Sequence, residues 1–251
     1  MTLSFDALLW DVDGTLLDFL AAEDICIRSL FLDFKIGECT DEMIHRYSQI
    51  NASYWKKLEK GEMTRAEILV KRFETFFEEI GAHGVDCLAF DRAYQKRLGE
   101  TVVFRDDSYQ LVSFLKGRIP QYAVSNGTVV AQTGKLTKSG LIKLFDGVFL
   151  SEHLGCEKPS ALFFDKVFAS IPAVDRQRVL IVGDSLSSDI LGAKNAGIQS
   201  CWYNPFHAAN QSNITPDFEI DNLQSIPKLI GIEKIKIIVK QYYLYIYKIL
   251  K

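Results

Sequence analysis

Six short apolar runs recur along the chain, and in most of them hydrophobic residues follow one another instead of alternating with polar ones. Alternation is typical of strands with one face in water, whereas continuous apolar runs are typical of parallel strands covered on both faces. The runs occupy residues 5–10, 121–126, 147–151, 178–183, 200–204 and 217–220. They predict a parallel β-sheet at the centre of the fold.

Helical patterns separate these runs. The predicted helices cover residues 107–116, 129–144, 160–171 and 190–196, and Gly197 ends the last of them. Strands and helices in alternation are typical of α/β proteins, in which helical crossovers join parallel strands. The predicted fold class is therefore α/β, with a doubly wound, Rossmann-like parallel sheet.

The connection between the first two runs is far too long for a simple crossover. From Asp11 to Ser125 the chain advances 114 positions, whereas a complete strand–helix–strand unit needs only about 30 residues. The intervening sequence is helical in pattern: Thr64 and Glu67 form a capping-box signature, apolar residues follow on one side, and Gly81 provides a stop. A small helical domain is therefore expected over the end of the first strand.

These signals divide the chain into three parts. The α/β core domain is predicted at residues 1–16 and 98–231, and the inserted α-helical cap at residues 17–97. A final segment, 232–251, is rich in tyrosine, isoleucine and lysine and has no assigned role. It is compatible with an amphipathic helix, an edge strand or a weak membrane-surface contact.

The charge balance limits the partners that the chain can bind. It has 29 basic and 32 acidic residues and a formal charge of −3, which argues against a broad basic surface for nucleic acid. Five scattered cysteines without C-x-x-C spacing favour a reducing compartment, and no uncharged run reaches the roughly 18 residues of a membrane span. A cytoplasmic protein without membrane span or nucleic-acid partner is expected, and its oligomeric state stays open.

Polar residues follow four of the predicted strands at the point where each strand ends. Because ligands of open α/β sheets bind at the carboxyl ends of the strands, these residues are expected to converge on one crevice. The set comprises Asp11, Asp13, Ser125, Asn126, Gly127, Lys158, Asp184 and Asp189. Gly14 and Thr15 would let the chain turn sharply after the first strand, so that both aspartates face the crevice.

Clustered carboxylates repel one another, and a divalent cation removes that cost. Oxygen ligands without nearby cysteine or histidine favour Mg²⁺, which binds one or two carboxylates and completes its shell with water and substrate phosphate. Asp11 and Asp184 are the predicted side-chain ligands, and the backbone carbonyl of Asp13 is a predicted third ligand. The predicted cofactor is therefore Mg²⁺.

The same groups suit phosphoryl transfer. Asp11 can attack phosphorus and form an aspartyl-phosphate, while Mg²⁺ and Lys158 offset the repulsion between carboxylate and phosphate. Ser125 Oγ and the backbone amides around Asn126 and Gly127 are predicted to bind the non-bridging phosphate oxygens. Two adjacent carboxylates then have two roles, because Asp13 can protonate the leaving alkoxide and later accept a proton from water.

Four stretches, "DVDGTL", "SNG", "EKP" and "GDSLSSD", resemble in this order the four motifs of the haloacid dehalogenase superfamily, with a helical cap of the first type inserted after the first motif. The resemblance implies a nucleophile at Asp11, an acid/base at Asp13, and phosphate binding by Ser125 and Lys158. It places Asp11, Asp13 and Asp184 around Mg²⁺. The presence of Asp13 favours phosphatases over dehalogenases, which do not keep an acid/base aspartate there.

The fourth motif also contains Asp189, for which two roles are open. The resemblance implies that Asp189 supports Lys158 and water at the metal. The alternative is a purely structural role at the start of the helix that ends at Ala196.

Local stretches also resemble bacterial pyrimidine 5′-nucleotidases of this superfamily: "FLDF", "SYWKKLEKGEMTRAEILVKRF", "SEHLGCEKP" and "CWYN". This likeness implies that the small-molecule substrate, a phosphate monoester, is a pyrimidine or non-standard nucleoside monophosphate. Trp55 and the phenylalanine-rich helix after Thr64 are candidates to pack against the base, and cap core is the alternative for these aromatic residues.

Three other functions remain open at this stage. A sugar-phosphate phosphatase or phosphomutase would use the same core residues, and a non-catalytic phosphate-binding module would use them only as ligands. A phosphonatase would require a Schiff-base lysine from the cap, where Lys56, Lys57 and Lys71 are present.

Overall fold

The computed structural model describes residues 4–232. The predicted C-terminal segment therefore lies, apart from residue 232, outside the described residues. Within 4–232, no helix is long and apolar enough to cross a membrane. The five cysteines all fall in this range, and none of them forms a disulfide.

A six-stranded, entirely parallel sheet forms the centre of the described chain, as predicted. Its strands are β1 (Ala7–Trp10), β2 (Gln121–Ser125), β3 (Gly147–Leu150), β4 (Val179–Gly183), β5 (Gln199–Tyr203) and β6 (Phe218–Ile220). Their spatial order is β3-β2-β1-β4-β5-β6. The strand order reverses direction between β1 and β4, which is where open α/β sheets bind their ligands.

The packing of strand β1 explains why its sequence is apolar throughout. Leu8 and Trp10 pack in a hydrophobic cluster on one face of the sheet, while Ala7 and Leu9 pack in a cluster on the other. All four residues are inaccessible to solvent. The sheet is therefore covered on both faces, as the continuous apolar runs predicted.

Ten α-helices accompany the strands in the described range. They are α1 (Phe19–Asp33), α2 (Asp41–Glu59), α3 (Arg65–Glu79), α4 (Cys87–Glu100), α5 (Ser108–Leu115), α6 (Val129–Lys138), α7 (Ser151–Leu154), α8 (Ala161–Ser170), α9 (Leu191–Ala196) and α10 (Ile226–Leu229). Short 3₁₀ turns occupy Leu141–Lys143, Arg176–Arg178 and Leu223–Ser225. A five-residue π-helical turn, Leu186–Ile190, directly precedes α9.

Two predicted helix boundaries are wrong. The helix expected over 129–144 ends at Lys138, because Gly140 adopts a left-handed conformation with φ of 77° and the chain continues as a 3₁₀ turn. Helical structure before α9 begins four residues earlier than expected, since the Ser185 side chain accepts a hydrogen bond from the Ser188 N–H and caps the π-helical turn.

Helices α1 to α4 form the helical cap, and their facing sides share an aromatic core. The capping box at Thr64 and Glu67 starts α3 as predicted. Phe73 of α3 is fully buried, and its ring stacks on Tyr47 of α2 at a centroid distance of 5.1 Å. Helix α4 continues to Glu100, past the predicted cap boundary at residue 97. The division of the chain at residues 17 and 97 stays a prediction.

A buried network of hydrogen bonds runs through the cap and ends on the core. Its donor–acceptor distances lie between 2.7 and 3.0 Å. The network joins, in order, Glu23, Asn51, Arg72, Asp91, Gln95 and Thr128. Because Thr128 caps α6, the four cap helices are connected by polar contacts to the first turn of a core helix.

The cap also contacts the core directly where α4 crosses α6. Gly99 of α4 faces Gly134 of α6, and a Cβ atom added to Gly134 would lie only 2.7 Å from the Gly99 Cα atom. Two residues without side chains therefore allow the helix backbones to touch. This contact fixes α6 beside the carboxyl ends of the strands.

Candidate active site

The Lys158 ammonium lies between two carboxylates at the end of β1. Its Nζ atom is 2.7 Å from Asp11 Oδ1, 2.6 Å from Asp189 Oδ1 and 3.0 Å from the Val124 carbonyl oxygen. The Lys158 side chain is 1% exposed. Burial alone would lower the pKa of Lys158, but the two carboxylates outweigh it and raise that pKa. Lys158 therefore carries a fixed positive charge in the site.

Thr15 connects two of the aspartates. Its Oγ1 is 3.1 Å from Asp11 Oδ2 and 3.3 Å from Asp184 Oδ1, within hydrogen-bonding distance of both. Gly14, in the turn before it, has a φ of 87°, and a Cβ atom there would lie 2.4 Å from Asp184 Oδ2. Position 14 requires glycine for two reasons: its backbone conformation is left-handed, and the Asp184 carboxylate occupies the space that a side chain would need.

Asp189 does not cap helix α9, because it lies inside the π-helical turn and its carboxylate faces the site. One oxygen binds Lys158, and the other accepts a hydrogen bond of 3.1 Å from the Ser185 N–H. At the end of β4, a Cβ atom on Gly183 would lie 2.3 Å from the Asp189 carboxylate. The missing side chain of Gly183 thus lets Asp189 reach the lysine.

Asp11, Asp184 and Asp189 form an acidic cluster that suits a divalent cation. One carboxylate oxygen from each lies within 4.8 Å of the others. Lys158 compensates a single charge, so the ionised cluster keeps two negative charges in excess. Burial raises the pKa of Asp11 well above its usual value, and the charge of Asp189 adds to the effect.

Asp184 is reached by solvent through the cavity, yet the walls of the cleft displace much of the water around it. This desolvation, together with the charge of Asp189, raises the pKa of Asp184 to about 7. Mutual repulsion of oxygen ligands in a partly dehydrated cleft is the condition that Mg²⁺ relieves. The residues present therefore fit the predicted metal.

Asp13 points away from this cluster and contacts helix α6. Lys135 Nζ lies 2.5 Å from Asp13 Oδ1, and Gln132 Nε2 lies 2.6 Å from Asp13 Oδ2. Gln132 and Lys135 were not predicted as site residues from the sequence. Polar residues three positions apart on a predicted helix are typical of a solvated face, so only their contact with Asp13 in the structure reveals them. The metal contact through the Asp13 carbonyl stays a prediction.

The loop after β2 lines the same cavity as Asp11. Ser125 is buried and its Oγ accepts a hydrogen bond of 3.0 Å from the Gly127 N–H. The Asn126 side chain makes two hydrogen bonds with the backbone of Lys158: its Nδ2 donates to the carbonyl oxygen at 2.8 Å, and its Oδ1 accepts from the N–H at 2.9 Å. Asn126 therefore holds the lysine loop with its side chain, and the prediction that residue 126 binds phosphate rests on its backbone N–H.

A cavity of about 460 Å³ contains these groups and extends under the cap. Its apolar lining includes Phe19, Leu20, Trp55, Leu98 and Phe206. The three phenylalanines of α3 that were candidates to contact a base, Phe73, Phe76 and Phe77, are buried in the cap core. That interpretation is wrong for them, because they lie on the helix face that packs on α2 and α4. Trp55 keeps the candidate role.

Two cap side chains, Arg65 and Glu59, make polar contacts with the core beside the cavity. Arg65 of α3 donates to the Asn126 carbonyl oxygen and to Ser151 Oγ, both at 2.6 Å. Glu59 of α2 accepts a hydrogen bond of 2.7 Å from Ser187 in the π-helical turn. Lys56, Lys57 and Lys71, the lysines that a phosphonatase would need, are not among the residues that line the cavity.

The fold and this set of residues define a class of hydrolase. The sequence model of the family described as haloacid dehalogenase-like hydrolases matches residues 5–197, which is more than half of the chain. The chain belongs to this family, as its four motifs predicted, and it is an enzyme of the phosphatase/hydrolase class.

Three relatives are similar over almost the whole chain. The HAD-hydrolase YfnB of Bacillus subtilis is 37% identical over 229 residues, 91% of this chain and 97% of YfnB. Its crystal structure, described as bound to magnesium and revealing interdomain movement, has a TM-score of 0.85 at 36% identity, covering 91% of this chain and 99% of that one.

The other two relatives are named pyrimidine 5′-nucleotidases. PynA of Streptococcus pneumoniae is 35% identical over 221 residues, 87% of this chain and 92% of PynA. YjjG of Escherichia coli is 28% identical over 228 residues, 91% of this chain and 99% of YjjG.

The acidic cluster predicts that Mg²⁺ stabilises the folded protein. A ligand that binds only the folded state at 100 times its dissociation constant adds about 2.7 kcal/mol, so the thermal midpoint should rise with Mg²⁺. Asp184→Asn should lose most of this rise, whereas Asp221→Asn, at an exposed residue outside the cavity, should keep it. Calorimetry with and without Mg²⁺ measures the effect. Equal shifts in the wild type and in Asp184→Asn would rule out the proposed cation site.

Proposed function

We propose that the protein is a Mg²⁺-dependent phosphatase that hydrolyses a phosphate monoester through an aspartyl-phosphate on Asp11. The observation that supports this most directly is the placement of the Asp11 carboxylate between Lys158 and Thr15, in the lining of the cavity and within the acidic cluster. A carboxylate held on both oxygens cannot rotate away from an incoming phosphate. Asp11 is thus oriented for attack before the substrate arrives.

The other core residues have separate tasks in this proposal. Lys158 supplies a positive charge beside the nucleophile, and Ser125 with the backbone N–H groups around Asn126 and Gly127 binds the non-bridging oxygens. Asp189 orients the lysine, and Thr15 orients Asp11 relative to Asp184. Asp11, Asp184 and the carbonyl of Asp13 would hold Mg²⁺, which supplies additional positive charge against the phosphate when bound. The magnesium-bound structure of YfnB supports this choice of metal.

Asp13 moves the protons. In the first half-reaction its carboxylic acid protonates the oxygen that leaves as the Asp11–phosphorus bond forms. In the second half-reaction its carboxylate accepts a proton from the water that attacks phosphorus, which releases inorganic phosphate and restores both aspartates. Each turnover therefore consumes one water and leaves the enzyme unchanged.

The substrate in this proposal is a nucleoside 5′-monophosphate with a pyrimidine or non-standard base. Two relatives that cover almost the whole chain carry the name pyrimidine 5′-nucleotidase. The cavity has an apolar part next to the phosphate site, and Trp55 of α2 lines it. Every base has a flat face that such a ring can stack on.

A substrate panel tests the proposed function. Phosphate release should be fastest with pyrimidine nucleoside 5′-monophosphates, slower with purine nucleotides and sugar phosphates, and at background when Mg²⁺ is chelated. Asp11→Asn should release no phosphate above that background, because the amide is not a nucleophile, while Asp221→Asn serves as the matched control.

Each outcome of the panel has a distinct meaning. Sugar phosphates as the preferred substrates would replace the nucleotidase with a sugar-phosphate phosphatase of the same chemistry. Phosphate release by Asp11→Asn at the wild-type rate would refute the aspartyl-phosphate. Binding of phosphate esters without any hydrolysis would point to the non-catalytic module.

Trp55→Ala should raise the KM for nucleotides and leave the KM for p-nitrophenyl phosphate, which carries no base, nearly unchanged. Loss of stacking on one base costs about 1–3 kcal/mol, which corresponds to a roughly 5- to 150-fold rise in KM. Trp55→Phe keeps an aromatic face and should keep most of the affinity. Steady-state kinetics of the three proteins measures the ratio. An equal rise for both esters would mean that Trp55 shapes the phosphate site instead of binding the base.

A further inference from the structure

Both oxygens of the Asp13 carboxylate are held by one face of α6. Lys135 Nζ contacts Oδ1 at 2.5 Å, and Gln132 Nε2 contacts Oδ2 at 2.6 Å, from positions one helical turn apart. All three residues line the cavity, but the Lys135 side chain is only 3% exposed, whereas that of Asp13 is 23% exposed. We propose that Lys135 and Gln132 are positioning residues that hold Asp13 for proton transfer at the leaving oxygen. This inference rests on the proposed phosphatase function.

The energetic cost of this arrangement argues against an incidental ion pair. Burying a lysine in the protein costs free energy that a surface ion pair does not require. Gln132 adds a second cost, since its Oε1 atom is buried without a hydrogen-bond partner in the described structure. An unpaired buried acceptor lowers stability. In the described structure, the hydrogen bond of this amide goes to Asp13.

Helix α6 is well placed to set the position of Asp13 relative to the phosphate site. It begins directly after the Ser125–Gly127 loop, and Thr128 caps it while donating to Gln95 of the cap. A Cβ atom on Gly127 would lie 2.1 Å from Gln132 Nε2, so the amide packs directly against the loop. The loop predicted to bind phosphate and the two residues that contact Asp13 therefore belong to one continuous segment.

The contacts favour the charge state that Asp13 reaches when it gives up its proton. As the P–O bond breaks, the electron pair moves to the leaving oxygen, the proton moves from Asp13 to that oxygen, and Asp13 becomes a carboxylate. The Lys135 ammonium and the Gln132 N–H both donate hydrogen bonds to that carboxylate. In the second half-reaction they hold the same carboxylate toward the attacking water.

The role predicts a dependence on the leaving group. Alkyl phosphates release a basic alkoxide that needs the proton, whereas p-nitrophenyl phosphate releases a stabilised phenolate that does not. For Lys135→Met, kcat/KM on the best alkyl phosphate should fall about 10- to 100-fold, a part of the 10²- to 10⁴-fold that general acid–base catalysis provides. On p-nitrophenyl phosphate, kcat/KM should fall less than about threefold, because kcat/KM covers only the steps up to loss of the leaving group and leaves out the second half-reaction, which is the same for both esters. The inhibition constant of inorganic phosphate should stay within about twofold.

Two comparisons isolate the effect. In an Asp13→Asn background, Lys135→Met should add little further loss, because a residue that acts through Asp13 has nothing left to position. Lys138→Met, at an exposed lysine on the same helix, is the matched control and should keep wild-type kinetics. Gln132→Met is the second variant should Lys135→Met fail to fold, with the same expected selectivity for alkyl esters.

Three results would overturn the inference. Equal losses of kcat/KM on both esters would show a general structural defect, and a rise in the inhibition constant of inorganic phosphate would show that Lys135 binds phosphate directly. Full additivity with Asp13→Asn would show that Lys135 acts independently of Asp13. The wild-type enzyme tests the proposed function separately. If it hydrolyses neither ester, the phosphatase assignment is wrong, and so is the role of Lys135 and Gln132 that rests on it.

Discussion

The site depends on a buried ammonium between two carboxylates. Without Lys158, Asp11 and Asp189 would face each other as like charges in a partly dehydrated crevice, with Asp184 close by. The lysine brings the carboxylates together but leaves negative charge in excess, so the site has both a fixed cation and room for a second one. This excess gives the fold a physical reason to bind Mg²⁺ beside Asp11, the carboxylate that we propose as the nucleophile.

The sheet supplies the geometry that makes this contact possible. Strands β1, β2 and β4 are neighbours, and their carboxyl ends meet at one edge. Glycines at positions 14 and 183 remove the side chains that would collide with Asp184 and Asp189. Helix α6 then connects the Ser125–Gly127 loop, Asp13 and the cap, so these three parts keep a fixed separation.

Sequence patterns predicted the parts of the fold that follow from local rules. Apolar runs located all six strands, and the carboxyl ends of parallel strands brought Asp11, Lys158 and Asp189 together as expected. The helix over 129–144 was predicted too long, although Gly140 was the available signal for its end. The phenylalanines of α3 were ambiguous, because one apolar helix face can pack on a ligand or on other helices. Gln132 and Lys135 carried no local signal, since their burial depends on contacts between distant parts of the chain.

The central claim is that the phosphoryl group is transferred first to Asp11 and only then to water. The stereochemistry at phosphorus tests this most directly, with an isotopically chiral phosphate ester hydrolysed in labelled water. Each displacement inverts the configuration, so transfer first to Asp11 and then to water predicts net retention. Net inversion would show that water attacks the ester directly, and it would contradict a covalent role for Asp11.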